Sequence, residues 1–148
     1  MAQFARPSVD TYNADGWTED DGTSDALWGE IDEVTADDAD FVRSALTPTS
    51  DVYVTKLTTV EDPLSSVNHT ARWRYGKDAA SGDAIDLTVQ LRQGYVNEGT
   101  PGTLIATLGT HTNIASGWNA GTYTLSAGEA DAITNYADLY IRFVANKP

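Results

Sequence analysis

The sequence predicts an all-β fold: an antiparallel β-sandwich, jelly-roll-like, with one or two short helices and an acidic N-terminal arm. Three observations predict it. Beyond Pro48 apolar residues recur with period 2, as in strands that bury one face. The alternating stretches are short, near-regularly spaced and separated by segments rich in Gly, Asp, Asn and Pro. The 148 residues, 41% of them hydrophobic and none of them Cys, suffice for one core that relies on packing alone.

Residues 1–47 form the arm, and residues 48–148 the sandwich of a single structural domain. Within the arm, Leu27, Trp28, Ile31 and Val34 recur at helical spacing behind Ser24, a candidate N-cap with Asp25 in the first turn. A short helix is expected from Asp25 to Glu33. Residues 52–60 are dense in β-branched and aromatic types and suit a strand. In 67–75, Val67, His69, Ala71, Trp73 and Tyr75 share one face. In 85–92, Ile85, Leu87, Val89 and Leu91 point inward against Asp86, Thr88, Gln90 and Arg92. Segments 78–83 and 97–102 read as hairpin loops, and the stretch Gly94 to Gly102 is longer than a tight turn requires. Further strands fit 103–108, 121–126 and 138–145. Ser126 with Glu129 three residues on forms a capping box, which predicts a helical turn over 127–134.

Charge narrows the partners. The chain has 22 acidic and nine basic side chains, a formal net charge of -13. Residues 1–51 hold 13 of the acids and two of the bases, so the excess is concentrated at the N-terminal end. Such a surface repels phosphate, which argues against direct binding to nucleic acid or to an anionic membrane. Basic proteins and neutral ligands remain. The N-terminus has no apolar stretch of signal-peptide length and no window approaches 18 apolar residues, so synthesis in the cytoplasm is expected.

The templates for chemistry fail on parts. The only His residues, His69 and His111, show no zinc-site pairing; His69 reads as a hydrogen-bonded core residue and His111 as exposed in a loop. No G-x-S-x-G elbow, P-loop or dinucleotide fingerprint is present. Asn13-Ala14-Asp15-Gly16 resembles part of a calcium loop, but Thr11 stands where the first Asp belongs and Gly22 where the bidentate Glu belongs. No cofactor, metal or catalytic residue is expected. Aromatic rings stack on sugars, which makes Trp118, with Asn119 and Tyr95, a candidate contact for carbohydrate or a partner. Trp17, Trp28, Asp37, Asp38 and Asp40 are the candidates for docking of the arm.

A wider pattern runs through the chain. Gly16-Trp17-Thr18, Leu27-Trp28 with Ile31-Asp32-Glu33, and Asp37-Asp38-Ala39-Asp40-Phe41-Val42 open it. Arg72-Trp73-Arg74-Tyr75 with Lys77, Ile85-Asp86-Leu87, and Leu91 with Gln93-Gly94 continue it. Leu125-Ser126 with Glu129, Asp131 and Ile133, then Tyr136-Ala137-Asp138-Leu139 and Ile141-Arg142-Phe143, close it. This pattern resembles small β-sandwich proteins encoded among the structural genes of tailed bacteriophages and prophages. The resemblance implies a non-catalytic virion component: capsid decoration, a minor head protein, a head fibre, or a tail accessory. Its partners would be the major capsid protein or other virion proteins, met as a homo-oligomer or repeated array. The alternative is a carbohydrate-binding module or fibre adhesin domain that meets a host glycan.

Overall fold

The computed structural model describes residues 2–78 and 82–148. Its strands are β1 (Pro7–Tyr12), β2 (Thr18–Glu19), β3 (Val42–Arg43), β4 (Thr49–Leu57), β5 (Thr70–Lys77), β6 (Asp86–Gln93), β7 (Thr103–His111), β8 (Gly117–Thr124) and β9 (Leu139–Asn146). One α-helix, α1 (Ala127–Asp131), and a 3-10 turn at Leu27–Glu30 complete it. A five-stranded sheet runs in the order β1-β4-β9-β6-β7; β5 pairs with β8, and β2 with β3, all antiparallel. The pairs β4/β9, β5/β8 and β6/β7 nest one inside the next. That is the winding of a jelly roll built from three nested pairs instead of the usual four.

Alternation along each strand decides the core. Tyr53 of β4, Phe143 of β9 and Val89 of β6 sit side by side on the inner face, and the Tyr53 and Phe143 rings stack at 6.0 Å. Leu87, Leu91, Leu139 and Ala145 extend this layer, and Ala71, Trp73, Tyr75 and Tyr123 of the two-stranded sheet close over it. Trp73 fills the gap between sheets by lying against two residues that lack a side chain. A Cβ on Gly121, its cross-strand partner, would collide with the indole, and one on Gly109 would come within 2.7 Å of it. The helix α1 packs against β7 and delivers Ala130 to the core, which Ile133, just beyond the helix, also joins. The expected capping box starts this helix: Ser126 Oγ accepts the Glu129 N–H, and the Glu129 carboxylate accepts the Ser126 N–H at 2.7 Å.

Several expectations change. The helix over 25–33 is a single 3-10 turn, and Ser24 does not cap it. Ala26 takes a left-handed φ of 56°, and the Trp28 N–H is accepted by Asp10 Oδ1 at 2.9 Å. Burial of Leu27, which is fully enclosed, outweighs the local helical signal. The segment 78–83 is not a hairpin loop, because β5 and β6 belong to different sheets; residues 79–81 lie outside those described. The 97–102 loop does close a hairpin. Strand β7 runs on to His111 because bulges at Ile105 and Leu108 break the alternation that marks its end in the sequence. His111 is therefore half-buried: its ring stacks on Tyr75 at 3.9 Å and Nε2 accepts the Trp73 indole N–H at 3.2 Å, and burial lowers its pKa. His69 is hydrogen-bonded as expected, to the Tyr136 hydroxyl at 2.9 Å, but it is half-buried just ahead of β5 and is not a core residue.

Gly121→Ala is expected to destabilise the fold by about 1–3 kcal/mol, since the added methyl must displace the wedged indole. Denaturant unfolding checks this; an unchanged midpoint would show that Trp73 moves freely.

Candidate interaction surfaces

The acidic segment is built into the sandwich. Asn13 folds the chain back by accepting the Trp17 N–H and donating to the Trp17 carbonyl, both at 2.8 Å, which drives Trp17 into the core at 5% exposure. Asp15 Oδ2 accepts the Val52 N–H at 2.8 Å, so the calcium-like stretch is a turn that ties the segment to β4. Of the expected docking residues, Trp17 is in the core, Trp28 is half-buried, and Asp38 is clamped by Arg74 through two donors on the outer face of β5. Asp37 turns inward on its own loop to accept the Ala39 N–H, and Asp40 is exposed.

The three candidate contact residues do not converge. Trp118 lies on the outer face of β8, 41% exposed, with its ring edge-on to Phe41 at 5.4 Å. Asn119 is in β8, and its amide donates to the Gly117 carbonyl of the same strand at 3.1 Å. Tyr95 sits on the other side of the molecule and is buried at 4%. It anchors the long 94–102 loop onto the outer face of the main sheet, where Val52, Val54 and Tyr140 form a second apolar cluster with Tyr12 and Val144 around it. The Tyr95 hydroxyl donates to Glu98 at 2.9 Å, and Arg142 grips the same carboxylate at 3.0 and 2.5 Å. The extra loop length thus covers a strand face that alternation alone would leave in water.

Two of the open surfaces are candidates for association, with Leu46 at 75% and Val96 at 65% exposed elsewhere. The loop 61–69 presents Leu64 at 90% and Val67 at 60% exposure, braced by Leu64 N–H to Asp62 and Val67 N–H to Ser65. Leu64 holds a left-handed φ of 53°, a conformation that disfavours a bulky side chain. Between this loop and α1 is a shallow depression of about 420 Å³, lined by Asp62, Leu64, Ser65, Ala130, Ile133 and Tyr136. The second surface is the flank formed by β7 and β8. Its signal is in the sequence: residues 99–128 contain no Asp, Glu, Lys or Arg, although the whole chain carries 31. Among the described residues no group of three or more His, Cys, Asp or Glu is placed to hold a metal, and no helix is long and apolar enough to cross a membrane.

Electrostatics follow from these pairings. The Arg142 hydrogen bonds hold the Glu98 carboxyl below its ordinary value of 4.5, against the opposing effect of burial. Its contribution to stability is therefore complete above about pH 4.5 and is lost as pH falls through the lower, folded-state value. Glu30 and Glu33 go the other way. Burial, and then acidic neighbours such as Glu19, Asp32 and Asp40, raise them, so their contribution is complete below 4.5 and is lost as pH rises through the raised values. Glu98→Gln is expected to cost about 1–3 kcal/mol at pH 7, with the gap to wild type closing as pH drops below about 4.5. Unfolding measured from pH 3 to pH 7 tests this; a gap independent of pH would refute the pairing as its source.

No family model matches the chain, and comparison with curated proteins and with solved structures found no match.

Proposed function

We propose that the chain is a non-enzymatic structural component of a tailed-phage or phage-like particle, most simply capsid decoration or a minor head protein, that acts through protein contacts. The loop 61–69 carries this reading. Leu64 and Val67 are held out in water on a braced, partly left-handed backbone; the left-handed φ costs folding free energy, and covering the apolar tip with a partner would gain the burial free energy that the fold itself leaves unused. Three further features support it: the jelly-roll winding, the residue resemblance to phage structural proteins, and the use of charged groups in pairs within the chain. Asp38 with Arg74, Glu98 with Arg142, Asp138 with Lys56 and Asp83 with Lys147 pair off in this way. The partner would be a major capsid or other virion protein, and the site of action the assembled particle.

The test is co-sedimentation with particles of the phage or prophage whose genes flank the coding sequence. Wild type is expected to pellet with them, and Leu64→Ser with Val67→Ser to lose about tenfold or more in affinity with an unchanged melting temperature, as removal of two exposed anchors requires. No binding of wild type to such particles, or flanking genes for polysaccharide breakdown, would overturn the proposal.

A further inference from the structure

Among the described residues, apart from the two-residue strands β2 and β3, which carry Glu19 and Arg43, four strands have an open edge: β1 and β7 flank the main sheet, and β5 and β8 flank their own two-stranded one. An open edge is a template for another strand, and proteins block it with Pro, charge or bulges. Strand β1 has Pro7, Asp10 and bulges at Ser8 and Thr11. Strand β5 has Arg72, Arg74 and Lys77, and β7 has its two bulges. Strand β8, Gly117 to Thr124, has none of these: no Pro, no charge, and an unbroken register with β5.

The direction of its free groups follows from one bond. The Leu125 N–H donates to the His69 carbonyl at 2.9 Å, so residues 69 and 125 form a hydrogen-bonded pair. In an antiparallel ladder such pairs alternate, which assigns Ala71/Tyr123, Trp73/Gly121 and Tyr75/Asn119 to the bonded set. Trp118, Ala120, Thr122 and Thr124 therefore turn their N–H and C=O groups away from β5. All four are exposed, and among the described residues no backbone group bonds to this edge.

Charge selects the occupant. Two copies of a chain at -13 repel one another across most of their surfaces, and β8, within the uncharged run 99–128, brings no charged side chain of its own to the contact, with the acidic segment 37–41 beside Trp118 as the charge that salt would screen. A basic partner would instead be drawn to the acidic surfaces elsewhere. The geometry points to a second copy of this chain, added antiparallel along β8 about a twofold axis at Gly121. The result is a continuous four-stranded sheet with β8 strands at its centre. In that register Trp118 lies opposite the second copy's Thr124, and Ala120 opposite its Thr122, so every outward group of one edge meets its counterpart. The pairing is independent of the particle-docking role of loop 61–69.

Sedimentation equilibrium of the full chain tests this from micromolar to millimolar concentration, at low and high salt. A dimer is expected, with a dissociation constant that falls as salt screens the shared negative charge. Ala120→Lys sets two like charges near the axis, and Thr122→Pro removes one outward N–H while sparing the bonds to β5. Each should weaken the dimer tenfold or more with an unchanged near-ultraviolet spectrum, whereas Val96→Lys, exposed on the 94–102 loop over the outer face of the main sheet, should not. A monomer under all conditions, or a dimer insensitive to both β8 variants, would overturn the inference. A monomer that still co-sediments with particles would overturn it alone and leave the docking role standing.

Discussion

A buried phenol needs an acceptor, and the way Tyr53 finds one organises much of the molecule. Tyr53 is fully enclosed at the centre of β4, stacked on Phe143, and its hydroxyl donates to Asp10 Oδ1 at 2.6 Å. Burial, and then this carboxylate, push its pKa up, so the phenol remains a neutral donor. The same oxygen accepts the Trp28 N–H, which fixes the turn that inserts Leu27 into the core. One carboxylate of β1 thus joins that strand to β4 and to the 3-10 turn. Breaking it would strand a buried donor at a cost of about 1–3 kcal/mol. The acidic N-terminal segment is for this reason part of the packing.

From that constraint follows a division of the surface. The outer face of the main sheet is covered by the 94–102 loop, which Tyr95 and the Glu98–Arg142 pair pin in place. Part of the outer face of β5 and β8 is covered by residues 38–41 through Arg74 and Trp118. Among the surfaces that stay open are the apolar tip at Leu64 and Val67 and the edge of β8, whose own residues carry no charge. On an acidic molecule the apolar tip and the neutral strand edge are two routes of association that do not depend on pairing of charges.

The legible parts of this structure are those set by neighbours in sequence. Alternation at Leu87, Val89 and Leu91 and at Leu139, Ile141 and Phe143 marked strands that bury those residues on one face, and Ser126 with Glu129 marked a helix start that forms as written. The misread parts turn on distant residues. Turn chemistry near Gly82 signals a bend but not which sheet the chain joins next. Bulges at Ile105 and Leu108 hid the end of β7, and with it the burial of His111. Ser24 offered a cap that Asp10, distant in sequence, supplies to another residue. Tyr95 looked available because nothing local shows that its loop folds back over Val54 and Tyr140.

By itself the sequence determined that this chain is an all-β sandwich with a strongly acidic N-terminal segment and a run of thirty uncharged residues, because periodicity, turn residues and charge are properties of short stretches. Tertiary structure alone decided that β4 pairs with β9 and β5 with β8, that Asp38 meets Arg74, and that the uncharged run becomes an open strand edge. Each of these joins residues far apart in the chain. Their contact depends on how apolar faces from many strands are buried together, and no local pattern encodes that choice.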